Sequence, residues 1–472
     1  MYLNEKLIIA KNDTQELYIS PNMINRHGII TGATGTGKTI SVKVLAESFS
    51  QAGIPVFVPD IKGDLSGICE VGINNENISK RLNKLNINNF EFKKFPVRFW
   101  DIYGKLGHFI KARIDNIDVS LLSRILGLSE SQEGHLNIAY KVAKDENLPI
   151  IDFKDLKAIL KYISDNKDKY ITTYGNIATQ SIGAIQRKLL EFENTGGDIF
   201  FGEPELDIKS LIKYDTNTGY GYINILNSQE LVKDYNLYST FMLWLLNELY
   251  DKLEEVGDLA KPKLVLFIDE AHLLFSEMSS TLLKKITQII KLIRSKGVGV
   301  YFISQSPTDI PNDILSQLGN RIQHNLHAYT PIEQKSVKAA ANSFRTNPNF
   351  DTEKVIQELE IGEAVISFIN EYGQPNIVDR AYILPPQSKI GVADNNIVNN
   401  IIDNSDLKDV YKPVDNISAF ELIEKKNNES NNKVIISTKK TKSNKVVDRT
   451  INSAASTIGR KIGNQIFKGL FK

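Results

Sequence analysis

A glycine-rich segment near the amino terminus limits the folds open to this chain more than any other feature. Residues 32–39 read G-A-T-G-T-G-K-T, which is the complete G-x-x-x-x-G-K-[ST] pattern of a phosphate-binding loop. Residues 27–31 before it predict a short buried strand, and the apolar spacing of residues 39–51 predicts a helix. Because a strand, a phosphate-binding loop and a helix follow one another in this order, the sequence predicts a nucleotide-binding α/β fold.

Each residue type in this loop has a chemical role. Glycine allows consecutive backbone N–H groups to turn inward around the phosphates of a nucleotide. Lys38 is expected to reach the β- and γ-phosphates, and the Thr39 hydroxyl is expected to ligate Mg²⁺. The residues assigned to phosphate binding are Gly32, Ala33, Thr34, Gly35, Thr36, Gly37, Lys38 and Thr39. A nucleoside triphosphate and Mg²⁺ are therefore the predicted ligands of this loop.

A second segment supplies the acidic groups that hydrolysis needs. Residues 264–268 are all apolar and predict a buried strand, which is followed directly by Asp269 and Glu270. Asp269 is expected to hold Mg²⁺ through water, and Glu270 is expected to orient or polarise the attacking water. The alternative interpretation is a strand that ends in a solvated acidic turn.

Four further polar residues are candidates for the same site. Asp60 ends a predicted strand, where it either faces the Mg²⁺ shell or the substrate or holds a plain turn. Gln305 follows another predicted strand, where it is either a sensor of the γ-phosphate or a loop amide. Arg294 and Arg321 are candidates for the arginine that an adjacent subunit supplies to the transition state, and each otherwise fits a solvated or helix-end cation.

The pattern of predicted elements changes along the chain. Strands alternate with helices in residues 1–117 and 206–393, which is typical of a mainly parallel sheet covered on both faces. Residues 118–205 have helix-spaced apolar residues and predict a mainly α-helical insertion. Residues 394–450 are rich in Asn, Asp and Lys and are expected to form a flexible polar linker. Residues 451–472 predict a basic amphipathic helix.

Composition and charge exclude several classes of protein. The 472 residues carry a formal net charge of only +1, which argues against attraction of the whole surface to nucleic acid but leaves local basic patches open. The single cysteine, Cys69, cannot form an intramolecular disulfide, and no Cys/His cluster has zinc-ligand spacing. No apolar run is long enough to span a bilayer, and the first residues lack the pattern of a secretory signal, so a cytoplasmic location is predicted.

Several segments, including the two nucleotide motifs, match one known family in type and order. They are residues 28–39, 60–67 (D-I-K-G-D-L-S-G), 183–190 (G-A-I-Q-R-K-L-L), 196–198, 201–204 (F-G-E-P), 269–272 (D-E-A-H) and 304–305. In these segments the chain resembles the HerA/FtsK group of hexameric RecA-like motor ATPases, and most closely the bacterial YjgR-type proteins with a HerA-like helicase domain. The similarity extends over nearly the whole chain, and the polar linker matches least.

This resemblance implies a RecA-like P-loop core and an ATP-driven motor that assembles into hexameric rings and acts on DNA as a translocase or helicase. It assigns the nucleotide site to Lys38, Thr39, Asp269, Glu270 and Gln305, and it favours ATP over GTP. The implied partners are further copies of the chain, DNA, and a nuclease or another protein.

Three interpretations of function remain open at this point. The first is a DNA-dependent ATPase in which basic residues such as Arg187 and Lys188 contact the strand, although both also fit a solvated helix face. The second is an ATPase that remodels or regulates a protein partner docked on the helical insertion, which the near-neutral charge fits equally well. The third concerns residues 451–472, a helix that either lies on an anionic membrane or, as the modest charge favours, attaches to a neighbouring subunit.

Overall fold

The computed structural model describes residues 2–3, 5–194, 196–276 and 278–429 of the chain. In this part of the chain, thirteen strands form one sheet. The strands are β1 (Tyr2–Leu3), β2 (Lys6–Lys11), β3 (Glu16–Ile19), β4 (Gly28–Thr31), β5 (Val56–Asp60), β6 (Val97–Asp101), β7 (His108–Phe109), β8 (Ile223–Asn227), β9 (Leu264–Ile268), β10 (Val298–Ser304), β11 (Asn320–Gln323), β12 (Glu363–Ser367) and β13 (Asp379–Ile383).

Residues 419–429 are helical, and a further fourteen α-helices surround this sheet within the described ranges. They are α1 (Lys38–Gln51), α2 (Glu76–Lys84), α3 (Val119–Ile125), α4 (Glu130–Asp145), α5 (Phe153–Asp165), α6 (Lys167–Tyr174), α7 (Thr179–Asn194), α8 (Tyr235–Lys252), α9 (His272–Phe275), α10 (Ser280–Leu292), α11 (Asn312–Leu315), α12 (Pro331–Asn342), α13 (Thr352–Glu358) and α14 (Asn395–Asp403). None of them is long and apolar enough to cross a membrane.

The order of the strands brings the predicted nucleotide motifs to one edge. The sheet runs β1-β2-β13-β12-β11-β4-β10-β9-β5-β8-β6-β7, with β3 beside β2. All pairs from β11 to β7 are parallel, whereas β12, β13, β2, β3 and β1 pair antiparallel. The predicted α/β fold with a mainly parallel sheet is therefore confirmed. The carboxyl ends of β4, β10, β9 and β5 share one edge, where ligands of such sheets bind.

The central strands are apolar along their whole length because both faces of the sheet are covered. β4, β9 and β10 are buried at every residue. On one face, Phe57, Leu266 and Phe302 share a continuous hydrophobic core with helices α3, α4, α5, α7, α8 and α10. On the other face, Phe267 and Ile303 pack with residues of α1. Because the helices of the predicted insertion share the core of the sheet, the boundaries of that insertion stay a prediction.

The prediction of a flexible linker over residues 394–450 is wrong for the part that the structure describes. α14 forms inside this range, and Asp406 makes an ion pair with the buried Arg98 of β6 at 2.8 Å. Leu407 and Tyr411 are buried in the hydrophobic core, although the surrounding sequence is polar. This segment is anchored by isolated apolar residues that follow neither a helical nor a strand period. Its polar composition therefore does not indicate that it is ordered. Residues 430–472, with the predicted amphipathic helix, lie outside the described residues.

Candidate nucleotide-binding site

The phosphate loop, residues 32–39, joins β4 to the start of α1. Gly37 is the N-cap of α1 and has a φ of 117°, a left-handed conformation that favours glycine. Lys38 Nζ donates to the carbonyl oxygens of Gly32 at 2.5 Å and Ala33 at 3.1 Å, and the Thr36 hydroxyl donates to that of Ala33 at 2.7 Å. The loop is thus curled around its own lysine, at a helix amino terminus that favours a bound anion.

The acidic turn, Asp269 and Glu270, follows β9 at the same edge of the sheet. Glu270 has a φ of 47°, which is uncommon for a residue with a side chain, and its N–H donates to Asp269 Oδ1 at 2.8 Å. The Tyr238 hydroxyl of α8 donates to the Asp269 carbonyl oxygen at 2.7 Å. Burial, together with the charge of Glu270, raises the pKa of the Asp269 carboxyl to about 7. Perturbed carboxyls of this kind concentrate at functional sites.

The phosphate loop and the acidic turn face one cavity of about 320 Å³. Its lining residues are Thr34, Gly35, Gly37, Lys38, Thr39, Ile40, Val42, Val58, Pro59, Asp60, Ile61, Lys62, Asp64, Leu65, Asp269, Glu270, Ile303 and Ile361. The Thr39 hydroxyl and the Asp269 carboxylate are hard oxygen donors, and Mg²⁺ usually takes one or two such groups together with phosphate oxygens and water. The donor set therefore fits a magnesium nucleotide.

Asp60 lines the same cavity, but its carboxylate holds the turn that follows it. Its Oδ1 accepts from the N–H of Gly63 at 2.8 Å, and its Oδ2 accepts from the N–H groups of Leu65 and Ser66 at 3.1 Å each. Burial, with a contribution from Asp64, raises the pKa of Asp60 to about 6. These contacts favour the turn interpretation of Asp60 over a direct role in the metal shell.

Two buried polar side chains, at the last residue of β11 and at the residue after it, support the phosphate loop. No local motif in the sequence indicates either of them. Gln323 Oε1 accepts from the Thr31 hydroxyl at 2.6 Å. The His324 ring lies 2.8 Å from Ser41 Oγ through Nε2 and 2.9 Å from the Glu363 carbonyl oxygen through Nδ1. Because a carbonyl oxygen only accepts, Nδ1 carries the proton and Nε2 accepts from Ser41. Burial, with a smaller effect of Lys38, lowers the pKa of His324 to about 4, so the ring is neutral at pH 7.

A turn ahead of β12 contacts the phosphate loop from its side. The Gly362 N–H donates to the Thr36 carbonyl oxygen at 3.0 Å, and a Cβ added to Gly37 would lie 3.1 Å from Gly362 Cα. Arg81 of α2 donates to the carbonyl oxygens of Ile361 and Gly362 at 2.9 Å each. Two backbones therefore meet closely here, and glycine is required for that approach.

The structure places the remaining sequence candidates away from the cavity wall. Gln305 follows β10, the strand between β4 and β9, and its side chain is exposed. Arg294 precedes β10, near the opposite edge of the sheet, and pairs with Asp258 at 2.7 Å. Arg321 donates to two carbonyl oxygens of the preceding turn at 3.0 Å each, and burial lowers its pKa. Neither arginine is among the residues that line the cavity of its own chain, so their role across a subunit interface stays a prediction.

Comparisons with known proteins agree with these motifs. A family model described as Helicase HerA-like C-terminal matches residues 5–466. The DNA double-strand break repair helicase HerA of Sulfurisphaera tokodaii is 28% identical over 363 residues, which cover 74% of this chain and 64% of that protein. The probable helicase MJ1565 of Methanocaldococcus jannaschii is 26% identical over 374 residues, which cover 76% of this chain and 63% of that protein. The chain thus spans slightly less than two thirds of the length of these relatives.

One solved structure shares the architecture of the described residues. VirB4 of Thermoanaerobacter pseudethanolicus aligns over 83% of this chain and 98% of that chain, with a TM-score of 0.50 and 14% sequence identity. At this identity the likeness concerns the fold alone.

Proposed function

The chain belongs to the HerA-like helicase C-terminal family, and we propose that it is a Mg²⁺-dependent ATPase that drives a DNA translocase or helicase. The observation that carries this proposal is the meeting of Lys38, Thr39, Asp269 and Glu270 around one cavity. P-loop motors use these residue types to contact the phosphates, hold the metal and direct the attacking water.

Each of these residues has a defined part in the proposed reaction. Lys38 leaves the loop carbonyl oxygens and contacts the β- and γ-phosphates. Thr39 and Asp269 would hold the Mg²⁺, Asp269 through water, and the ion would supply positive charge that neutralises the phosphates. Glu270 orients or polarises the water. Its Oε2 lies 3.3 Å from His272 Nδ1 and has no hydrogen-bond partner among the described residues.

We further propose that the site acts at an interface between copies of the chain in a ring, as the family resemblance implies. Ile361 supports this assembly, because it lines the cavity and yet is 76% exposed. An apolar side chain at the rim of a nucleotide site is suited to burial by a neighbouring subunit. Light scattering with and without ATP measures this assembly, and Ile361→Glu is expected to weaken it.

The experiment that tests the proposed function is steady-state ATP hydrolysis by the purified chain. It is measured with no DNA, with single-stranded DNA and with double-stranded DNA, at low and moderate salt, and with Lys38→Ala as the background. A DNA motor is expected to hydrolyse ATP faster with DNA, and the DNA concentration for half-maximal stimulation should rise steeply with salt because phosphate contacts release counterions. Hydrolysis that depends on Lys38 but ignores DNA at every salt concentration would remove the DNA motor and keep the ATPase.

A second candidate function, an ATPase that acts on a protein partner, is favoured by two observations on charge. The whole chain has a formal net charge of only +1. Lys188, a candidate DNA contact, makes an ion pair with Glu191 at 2.8 Å, so part of its charge is already compensated. This candidate predicts DNA-independent hydrolysis that a stoichiometric protein accelerates, and strong stimulation by DNA would remove it.

A further inference from the structure

Arg124 of α3 contacts the short helix that follows the acidic turn. Its Nη2 donates to the carbonyl oxygen of Ser276 at 2.9 Å and to that of Leu273 at 3.4 Å. The last carbonyl groups of a helix have no partner inside the helix, and a cation at this end is stabilising. Arg124 therefore fixes the carboxyl end of α9 from the helical segment of the chain.

α9 in turn holds the backbone of Glu270. The Leu273 N–H donates to the Glu270 carbonyl oxygen at 2.9 Å, and the Ala271 N–H donates to the Ile303 carbonyl oxygen at 2.9 Å. Glu270 itself has a φ of 47°. A non-glycine residue in this region is strained and keeps that conformation only when its surroundings enforce it. The contacts on both sides of Glu270 provide this enforcement.

A second contact joins α3 to the same stretch of chain. Asp118 is the N-cap of α3, and Lys285 of α10 donates to its Oδ2 at 2.5 Å. The two ends of α3 are thus connected to α9 and to α10, the two helices that follow the acidic turn. α3 also packs on α4 and α8 through Leu121 and Leu122, which are buried in the same core.

We infer that Arg124 is a positioning residue for Glu270. It connects the helical segment to the residue that directs the attacking water, and the phosphate loop is not part of this connection. This inference rests on the proposed function. Removal of the Arg124 guanidinium frees the end of α9, and the carboxylate of Glu270 then spends less time in the orientation that directs water. Nucleotide affinity does not depend on this contact, since the phosphate loop is supported by β11 and β12.

The test compares Arg124→Ala and Arg124→Lys with Lys285→Ala, which removes the other end contact of α3. The measurements are kcat for ATP hydrolysis and Kd for a fluorescent ATP analogue. Arg124→Ala is expected to lower kcat about tenfold, which corresponds to about 1.4 kcal/mol in the barrier, while Kd changes by less than about twofold. Arg124→Lys should recover part of kcat because an ammonium still reaches one carbonyl oxygen. Lys285→Ala should keep most of the wild-type kcat. Equal losses of kcat in Arg124→Ala and Lys285→Ala, or a parallel loss of affinity, would overturn the inference.

Amide hydrogen exchange provides a readout that does not need activity. Arg124→Ala is expected to speed exchange in residues 270–276 and to leave residues 32–39 unchanged. Unchanged exchange in residues 270–276 would overturn the inference even if the variant were inactive. A wild-type chain that hydrolyses no ATP would instead remove the proposed function, and the exchange result would still decide whether Arg124 fixes the acidic turn.

Discussion

The phosphate loop and the acidic turn face the same cavity, yet different parts of the molecule hold them. The loop is contacted by the main sheet and its turns: the Ala33 N–H donates to the Asn325 carbonyl oxygen at 2.8 Å, and Gly362 meets Thr36 backbone to backbone. The acidic turn is contacted by Tyr238 of α8 and is followed by α9, whose carboxyl end Arg124 of α3 contacts. The part of the site that binds phosphate is thus fixed by strand pairing, whereas the part that directs water also depends on helix packing.

Nucleotide binding and hydrolysis therefore have separate structural supports. Backbone contacts between paired strands form only when the sheet is complete, so the loop geometry follows from the core itself. Side-chain contacts from helices can shift while the sheet stays intact. Variants on the two sides of the cavity should therefore affect different constants, kcat on the side of the acidic turn and the dissociation constant for ATP on the side of the phosphate loop.

Glu270→Gln should have the largest effect, because the amide keeps the shape of the carboxylate but cannot take up a proton. We expect kcat for ATP hydrolysis to fall about 10²–10⁴-fold. The affinity for ATP, measured by titration of a fluorescent analogue, should stay within about threefold of the wild-type value. A comparable loss of affinity would mean that the two sides of the cavity are not separable.

Lys38→Ala should instead remove binding. Charge-assisted hydrogen bonds contribute about 1.5–3 kcal/mol each, so a dissociation constant raised about 10- to 100-fold is expected in calorimetric titration with ATP. Lys62→Ala is the matched control, because Lys62 lines the same cavity on an exposed turn outside the phosphate loop. Equal losses in the two variants would indicate general attraction of the nucleotide to positive charge.

Asp269→Asn should change how stability depends on pH. The unfolded carboxyl titrates near pH 4, and burial raises its pKa in the folded chain to about 7. The folded state therefore holds the proton more tightly, and the resulting stability is full below about pH 4 and is lost as the pH rises through about 7. Thermal unfolding without Mg²⁺ between pH 5 and pH 8 should show a steeper decline for the wild type than for Asp269→Asn. Parallel curves would contradict the raised pKa.

Ser41→Ala should have the smallest effect, because it acts on the loop only through His324. The variant leaves the buried His324 Nε2 without its donor, which costs about 1–3 kcal/mol in the free energy of unfolding. Ser48→Ala is the control, since Ser48 lies on the same helix and its buried hydroxyl makes no hydrogen bond among the described residues. Denaturant unfolding should rank Ser41→Ala as clearly less stable than Ser48→Ala, with kcat nearly unchanged in both. Equal stability of the two variants would show that the His324 contact contributes little.

Local motifs made part of this site predictable from the sequence. The glycines and Lys38 form a contiguous pattern, and the apolar run before Asp269 predicts the strand that places it. His324 and Gly362 could not be selected in this way, because they reach the phosphate loop from about 300 residues further along the chain. Arg124 could not be selected either, because the local sequence around an arginine near the end of a helix does not indicate which other helix it contacts.

Two elements of the fold were hidden by charged or polar residues. The sequence of β6, V-R-F-W-D, contains a charge in the middle of a buried strand, so apolar periodicity does not indicate this strand. The structure accommodates Arg98 by the ion pair with Asp406 and by packing over the Tyr222 ring at 4.2 Å. Asp406 belongs to the segment for which the sequence predicts a linker, so this ion pair joins two elements that the sequence does not indicate. A charged residue such as Arg98 is costly to bury unless its partner, here Asp406, lies beside it.

The position of β4 between β10 and β11 has a consequence for the order in which the protein is made. The phosphate loop leaves the ribosome early, but both strands that flank its own strand belong to residues 298–323. At about 5–20 residues per second, synthesis of the intervening chain takes roughly 15–60 seconds. During that time the nascent chain displays a nucleotide motif without the sheet that shapes it. Release of a chain truncated before residue 298 would therefore yield a product that carries the motif but is not expected to capture nucleotide.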